Sequence, residues 1–92
     1  EDKLCTDPHL NVRLGCRQLQ KMVNYYDNDL MLAVASYNSG SKPVDTWIEL
    51  MGDPRQGHID HLTFLEEIPY KETRDYVRRV LENRRVYQKL LN

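Results

Sequence analysis

The sequence of 92 residues lacks the features of a disulfide-rich, membrane-spanning or nucleic-acid-binding chain. Two cysteines, Cys5 and Cys16, are too few for a disulfide framework, and no His/Cys cluster has the spacing of a zinc site. The longest apolar run, residues 30–35, is far shorter than the ~20 residues that cross a bilayer. A net charge of −1 provides little attraction for phosphates, so we expect no nucleic-acid partner.

The composition is that of one small globular domain, with 40% hydrophobic and 29% charged residues. Basic pairs at 78–79 and 84–85 alternate with Asp75 and Glu82 at helical spacing, which indicates a solvated helix face with internal charge pairs. If a helix follows Asp7, Cys16 lies about 12 Å along its axis, so we do not expect a disulfide to Cys5. We interpret Cys16 as a small buried residue.

Hydrophobic periodicity predicts an all-α fold of about five helices and no convincing strand. Asp7-Pro8 is typical of a helix start, and Asn28 or Asp29 is expected to cap the second helix. That second helix is apolar on nearly every side, which predicts the buried centre of the domain. Gly40 is expected to end it. The predicted helical segments are residues 8–26, 30–38, 43–51, a short turn at 62–67, and 70–91, with a surface loop at 52–61.

Two segments combine aromatic and polar residues in a way that suits sugar binding. In residues 32–40 a buried helix runs into Tyr37, Asn38 and a glycine turn, where a phenol and an amide supply a flat surface with donors and acceptors. In residues 68–77 Glu72 lies in the first turn of a helix. When each segment is taken alone, a structural role is the simpler explanation: Tyr37 as a core residue, Asn38 closing its helix, and Glu72 complementing the helix dipole.

Together these segments resemble the third and fourth signature segments of the soluble lytic transglycosylase (SLT) family. Those segments typically read Ala-Ala-Tyr-Asn-Ala-Gly and Ile-Pro-(Tyr/Phe)-x-Glu-Thr-Arg-x-Tyr-Val. The two segments lie about 30 residues apart with Trp47 between them, and the resemblance extends over residues 7–91. Ser36 and Ser39 replace the alanines that are usual in the third segment.

The resemblance implies a goose-lysozyme-like, mainly helical fold and an enzyme that cleaves the β-1,4 bond between N-acetylmuramic acid and N-acetylglucosamine in peptidoglycan. The family uses one glutamate as acid and then as base, and the muramic 6-hydroxyl attacks the anomeric carbon to give a 1,6-anhydro sugar. By position, Tyr37 matches the tyrosine beside the catalytic glutamate, and Asn38 matches its groove-lining neighbour. Glu72 matches a substrate-contacting carboxylate, Tyr70 a further substrate-binding position, and Arg74 a supportive one.

The family's catalytic glutamate segment and its Gly-Leu-Met-Gln segment are expected before Asp7, and residues 1–6 contain neither. We therefore expect residues 1–92 to be the C-terminal part of one SLT domain, an incomplete lysozyme-like unit without a catalytic residue, and inactive by itself. No cofactor or metal is predicted. His58 and His61 are interpreted as surface residues because no third ligand accompanies them.

The expected partner is the glycan strand of peptidoglycan, in the periplasm or cell envelope, and the chain is not expected to span the membrane. Alternatives are a non-catalytic module that binds peptidoglycan or an envelope partner, and a purely structural helical interaction domain. We expect the second helix to need more cover than four other elements provide, and large exposed apolar patches usually mark interfaces. This predicts a dimer, or association with the missing N-terminal half.

Overall fold

The computed structural model describes residues 6–7, 12–13 and 16–82, and within these residues the fold is mainly helical. Two short strands, β1 (Thr6–Asp7) and β2 (Val12–Arg13), pair antiparallel with Thr6 opposite Arg13. Five α-helices and one 3-10 turn (Pro54–Gln56) follow in the described part of the chain. The helices are α1 (Cys16–Tyr25), α2 (Leu30–Ser39), α3 (Ser41–Met51), α4 (His61–Glu66) and α5 (Lys71–Glu82).

Helix α2 is the centre of the domain, as its apolar sequence predicts. Every side chain from Leu30 to Ser36 is buried. Asp29 caps its start, because a carboxylate oxygen accepts a hydrogen bond of 3.0 Å from the Leu32 backbone N–H. The helix ends where Gly40 turns to a φ of +96°. Both ends of the predicted second helix are therefore confirmed to within one residue.

The remaining helices cover α2 with the apolar stripe that each one carries. Helices α1, α3 and α5 pack directly on α2, and α4 packs on α5. In α3 the apolar side chains at helical spacing face the core: Val44 and Trp47 are buried, and Ile48 and Met51 lie partly buried against it. Outside α2, the buried apolar side chains are Leu19, Tyr26, Val44, Trp47, Phe64, Leu65, Ile68, Val77 and Val80.

A polar network fixes the turn after α1 against α3. The Tyr25 and Tyr26 hydroxyls donate to the two carboxylate oxygens of Asp45 at 3.0 and 2.9 Å. Burial of Tyr26, reinforced by this hydrogen bond, raises the pKa of its phenol. Arg55 joins the network, because its guanidinium donates to Asp53 and lies 5.7 Å from the centre of the Tyr26 ring. These bonds hold the ends of α1 and α3 together.

The first predicted helix is wrong in its N-terminal half. The helix begins at Cys16, not at Pro8, and the backbone at Val12 is paired with that at Asp7 in the β1–β2 ladder. Two features of the sequence oppose an earlier start: Gly15 is costly inside a helix, and the β-branched Val12 favours extended backbone. Asp7 is consequently a strand residue. The last helix was predicted to continue over residues 83–91, which lie outside the part of the chain that the structure describes. The same holds for the side chains of Cys5 and Cys16.

The packing of α2 also bears on the predicted association. The seven side chains from Leu30 to Ser36 are buried within a single chain, so the exposed apolar patch expected on this helix is not present there. The large apolar side chains that are exposed among the described residues, such as Leu50 and Leu62, lie outside α2. Dimerisation, or association with the missing N-terminal half, therefore remains a prediction that the packing of α2 does not support. No helix in the described segments has the length and hydropathy needed to cross a membrane.

Candidate functional site

Asn38 lies in the last turn of α2, where that helix meets the start of α5. The Thr73 hydroxyl donates to the Asn38 side-chain carbonyl across this junction, with an oxygen–oxygen distance of 2.6 Å. Thr73 is 2% exposed, so the bond is largely shielded from water. With its carbonyl oxygen engaged in this way, the Asn38 amide keeps its two N–H donors for another partner.

Beside this junction is a small pocket of about 280 Å³. Asn38 contributes to it from α2, and the other lining residues come from α5: Glu72, Asp75, Tyr76 and Arg79. Glu72 precedes Asp75 and Tyr76 by three and four residues, and Arg79 follows them by four and three, a spacing that places these side chains on one face of a helix. The pocket therefore offers carboxylates, an amide, a phenol and a guanidinium along two turns of α5.

The charges around the pocket differ in how far they are already paired. The Lys71 ammonium lies 2.8 Å from a carboxylate oxygen of Asp75 and holds the pKa of that carboxyl below its usual range. Arg78 adds a longer contact to the same carboxylate at 3.9 Å. Glu72 and Arg79 make no side-chain hydrogen bond or ion pair with any residue that the structure describes. These two side chains are the charged groups available to a ligand.

Tyr76 adds a second neutral polar group to the pocket, beside the Asn38 amide. Its burial, with a further contribution from the neighbouring Tyr37 phenol, raises the pKa of Tyr76 from 10.0 to about 12, and the Arg79 guanidinium opposes the shift. The hydroxyl therefore stays protonated at neutral pH. It can both donate and accept a hydrogen bond, as the hydroxyl and acetamido groups of a sugar require.

Sequence comparison identifies the family to which these residues belong. The family model described as "Transglycosylase SLT domain" matches residues 1–59, which is more than half of the chain. A second model, "Soluble lytic transglycosylase helical domain", matches residues 67–92. The chain belongs to the soluble lytic transglycosylase (SLT) family.

Curated SLT-family relatives agree with this assignment. The chain is 37% identical over 75 residues to the soluble lytic murein transglycosylases of Escherichia coli K12 and Salmonella typhimurium, which is 82% of this chain and 11% of each relative. It is 33% identical over 85 residues to a putative soluble lytic murein transglycosylase of Haemophilus influenzae, or 92% of this chain and 14% of the relative. The chain thus spans about a tenth of the length of these relatives. No solved structure matches it significantly.

The residues predicted from the SLT signature segments do not all meet at one point. Asn38 and Glu72 line the same pocket, although 34 positions separate them in the sequence. Tyr37 does not line it; the side chain is partly buried against the core and close enough to Tyr76 to affect its titration. Tyr70 lies edge-on to Trp47, with ring centres 5.2 Å apart, and is half exposed. Arg74 donates to the Ile68 carbonyl at 2.9 Å and so fixes the turn before α5.

Sequence reasoning missed Thr73 as the partner of Asn38, and it missed Tyr76 and Arg79 as pocket residues. Of the basic residues 78–79 expected to form internal charge pairs, only Arg78 contacts Asp75, at a longer distance than Lys71 does. The helical repeat counted from Glu72 was the signal available for Tyr76 and Arg79, because positions i+4 and i+7 share its face. No sequence pattern pointed to the contact between Thr73 and α2.

A larger cavity of about 550 Å³ lies where α2 begins, and its lining includes Leu62, Leu65 and Leu81. His61 is also part of its wall, with Nε2 placed 2.6 Å from a carboxylate oxygen of Asp29. His58 and His61 are both exposed, in agreement with their interpretation as surface residues. None of the residues predicted from the SLT signature segments lines this cavity, so the smaller pocket is the candidate site.

The raised pKa of Tyr76 predicts a specific loss of stability in alkali. Because the neutral phenol is favoured in the folded state, its stabilisation is complete below pH 10 and is lost as the pH rises toward 12. We expect the free energy of unfolding, measured by urea denaturation at several pH values, to fall less steeply over this window in Tyr76→Phe.

The Arg79 charge supplies a matched test of the same environment. Arg79→Gln should raise the pKa of Tyr76 further, because it removes the nearby positive charge, while Arg78→Gln should leave that pKa in place. Nuclear magnetic resonance titration of the Tyr76 ring would measure both variants. Equal pKa values in the two variants would mean that the Arg79 guanidinium does not act on this phenol.

Proposed function

We propose that this chain is the glycan-binding part of a murein lytic transglycosylase. The observation that carries the proposal is that Asn38 and Glu72, each expected from a different SLT signature segment to contact substrate, line one pocket. The names of the relatives supply the substrate, murein, and hence a location in the periplasm or cell envelope. The pocket would hold the sugar through the Asn38 amide, the Tyr76 hydroxyl and the Glu72 carboxylate.

The reaction proposed for the whole protein cleaves the β-1,4 bond between N-acetylmuramic acid and N-acetylglucosamine. A glutamic acid donates its proton to the leaving glycosidic oxygen, and the resulting carboxylate then accepts the proton of the muramic 6-hydroxyl as that oxygen attacks the anomeric carbon. The products are a free 4-hydroxyl on one sugar and a 1,6-anhydro ring on the other. Tyr37, Asn38 and Glu72 would position the strand, with Tyr70 and Arg74 supporting the segment that carries Glu72.

The acid itself is proposed to lie outside the described residues. A glycosidic general acid needs surroundings that keep it protonated at neutral pH, and burial is the usual means. The described glutamates are all exposed: Glu49, Glu66, Glu67, Glu72 and Glu82. We therefore expect the 92-residue chain to bind glycan strands without cleaving them.

Binding of the isolated chain to purified murein glycan strands tests the pocket. Glu72→Gln should weaken binding about tenfold, equivalent to about 1.4 kcal/mol, because a charged acceptor becomes a neutral amide of nearly the same shape. Glu67→Gln is the matched control, since the same change is made at an exposed residue outside the pocket. Loss of affinity in both variants, or in neither, would contradict the placement of the site.

The second candidate is a non-catalytic module that binds murein, and the exposure of every described glutamate favours it. Digestion of murein sacculi by the full-length parent protein separates the two functions. Release of 1,6-anhydro-muropeptides by the parent, with none released by the 92-residue chain, is expected for the enzyme. Failure of the parent to release them would leave the binding module.

A further inference from the structure

The Thr73 hydroxyl donates to a side chain of another helix, which sets it apart from other hydroxyls in this fold. A serine or threonine inside a helix commonly donates to a backbone carbonyl one turn earlier. Ser36 and Thr46 do so, at 2.9 and 3.1 Å. Thr73 instead donates at 2.6 Å to the side-chain carbonyl of Asn38, 35 positions away. Because Thr73 is almost fully buried, water does not compete for this bond.

This bond decides which end of the Asn38 amide can meet a ligand. The two ends of an amide have nearly the same shape, but the oxygen accepts hydrogen bonds and the nitrogen donates them. With its oxygen held by Thr73, Asn38 can offer a ligand only its N–H donors. Glu72, across the same pocket, can only accept when ionised. An Asn38 side chain that turned its oxygen toward the pocket would leave an oxygen of the ligand without a donor.

We propose that Thr73 is a positioning residue, which holds the Asn38 amide so that its N–H groups donate to an oxygen of the bound sugar. Thr73 does not line the pocket, so it acts on the ligand only through Asn38. The inference depends on the proposed function, because it takes the sugar to be bound by Asn38.

Binding of the 92-residue chain to purified murein glycan strands tests the role of the hydroxyl. Thr73→Val keeps the shape of the side chain and lets the Asn38 oxygen turn toward solvent, so fewer molecules present the donors. We expect about fivefold weaker binding, since one ordinary hydrogen bond sets the balance between the two orientations. Thr73→Ser keeps the hydroxyl and should restore most of the affinity. Thr63→Val is the matched control, because that hydroxyl donates to Asp60 outside the pocket.

Two further measurements separate positioning from a general structural role. In an Asn38→Ala background, Thr73→Val should weaken binding no further, because the residue through which it acts is absent. In the free chain, nuclear magnetic resonance signals of the Asn38 side-chain N–H groups should move upfield in Thr73→Val, since a carbonyl that accepts a hydrogen bond polarises its amide. Thr63→Val should leave those signals in place.

Asn38→Asp tests the donors without altering Thr73. Aspartate can still accept from the Thr73 hydroxyl, but it presents an oxygen where the N–H groups were, so binding should weaken about tenfold or more. Urea denaturation curves verify that each variant is folded. Unchanged affinity in Asn38→Asp, or an equal loss from Thr73→Val with and without Asn38, would overturn the positioning role while leaving the proposed function intact. Failure of the unaltered chain to bind the strands would instead refute the proposed function.

Discussion

Phe64→Ala is expected to destabilise the domain by about 3–5 kcal/mol, which is the usual loss for truncating a fully buried phenylalanine. The Phe64 side chain is completely buried in α4 and belongs to the cluster around α2. A domain of this length is stabilised by only roughly 5–14 kcal/mol in total. We therefore expect the midpoint of urea denaturation to fall sharply, or the variant to be largely unfolded at room temperature.

Leu62→Ala provides the comparison within the same helix. Leu62 is 64% exposed, so its truncation should change the free energy of unfolding by less than about 0.5 kcal/mol. A loss at Leu62 as large as that at Phe64 would mean that the exposed face of α4 is covered in solution. That result would favour the predicted dimer, or the predicted association with the missing N-terminal half.

Gly52→Ala should cost about 3 kcal/mol, because both the backbone and the space around this residue require glycine. Gly52 ends α3 with a φ of +111° and a ψ of 159°, a region that is essentially restricted to glycine. A Cβ atom added there would also lie 3.2 Å from the Cβ of His58. Equilibrium denaturation of the purified variant measures the loss.

Gly57→Ala is the matched control, with the same substitution five residues later. Gly57 has a φ of +79° and a ψ of 10°, which other residues adopt at a modest cost, and no atom lies within 4 Å of an added Cβ. Its expected cost is about 1 kcal/mol. If the two variants lost equal stability, the contact with His58 and the conformation of Gly52 would not be the decisive factors.

The centre of this fold could be predicted because local and tertiary preferences agree there. Residues 30–35 are apolar on every side, Asp29 supplies a cap, and Gly40 supplies the end, so one sequence pattern specifies both a helix and its burial. The apolar face of α3 followed from the positions of Val44 and Trp47 for the same reason. In these elements tertiary packing has no conflict with local propensity.

The start of α1 could not be predicted, because two local interpretations of the same residues compete. Asp7-Pro8 favours a helix start, but Val12 and Gly15 oppose a helix through residues 12–15. The outcome depends on backbone pairing of Thr6 with Arg13, a contact between residues that show no strand alternation in sequence. Periodicity over a long window therefore extended the helix too far.

The candidate site could be predicted in part, through positions that the SLT signature segments name. Asn38 and Glu72 came from the resemblance, and physical reasoning on either segment alone favoured a structural role for both. Tyr70 and Arg74 belong to the same segment as Glu72 but lie away from the pocket, since motif membership does not specify the face of a helix. Thr73 depends on how α2 and α5 meet, which no local pattern encodes.

The hydrogen bond from Thr73 to Asn38 makes ligand binding and helix docking a single linked equilibrium. Glu72 and Arg79 belong to α5, whereas Asn38 belongs to α2, so the pocket is complete only while the two helices remain in contact. A ligand that binds there and not to the unfolded chain must stabilise the folded chain, by an amount that grows with the logarithm of the ligand concentration once this exceeds Kd. Protection of the α5 amides from hydrogen exchange would accordingly report occupancy even where no atom of the backbone moves.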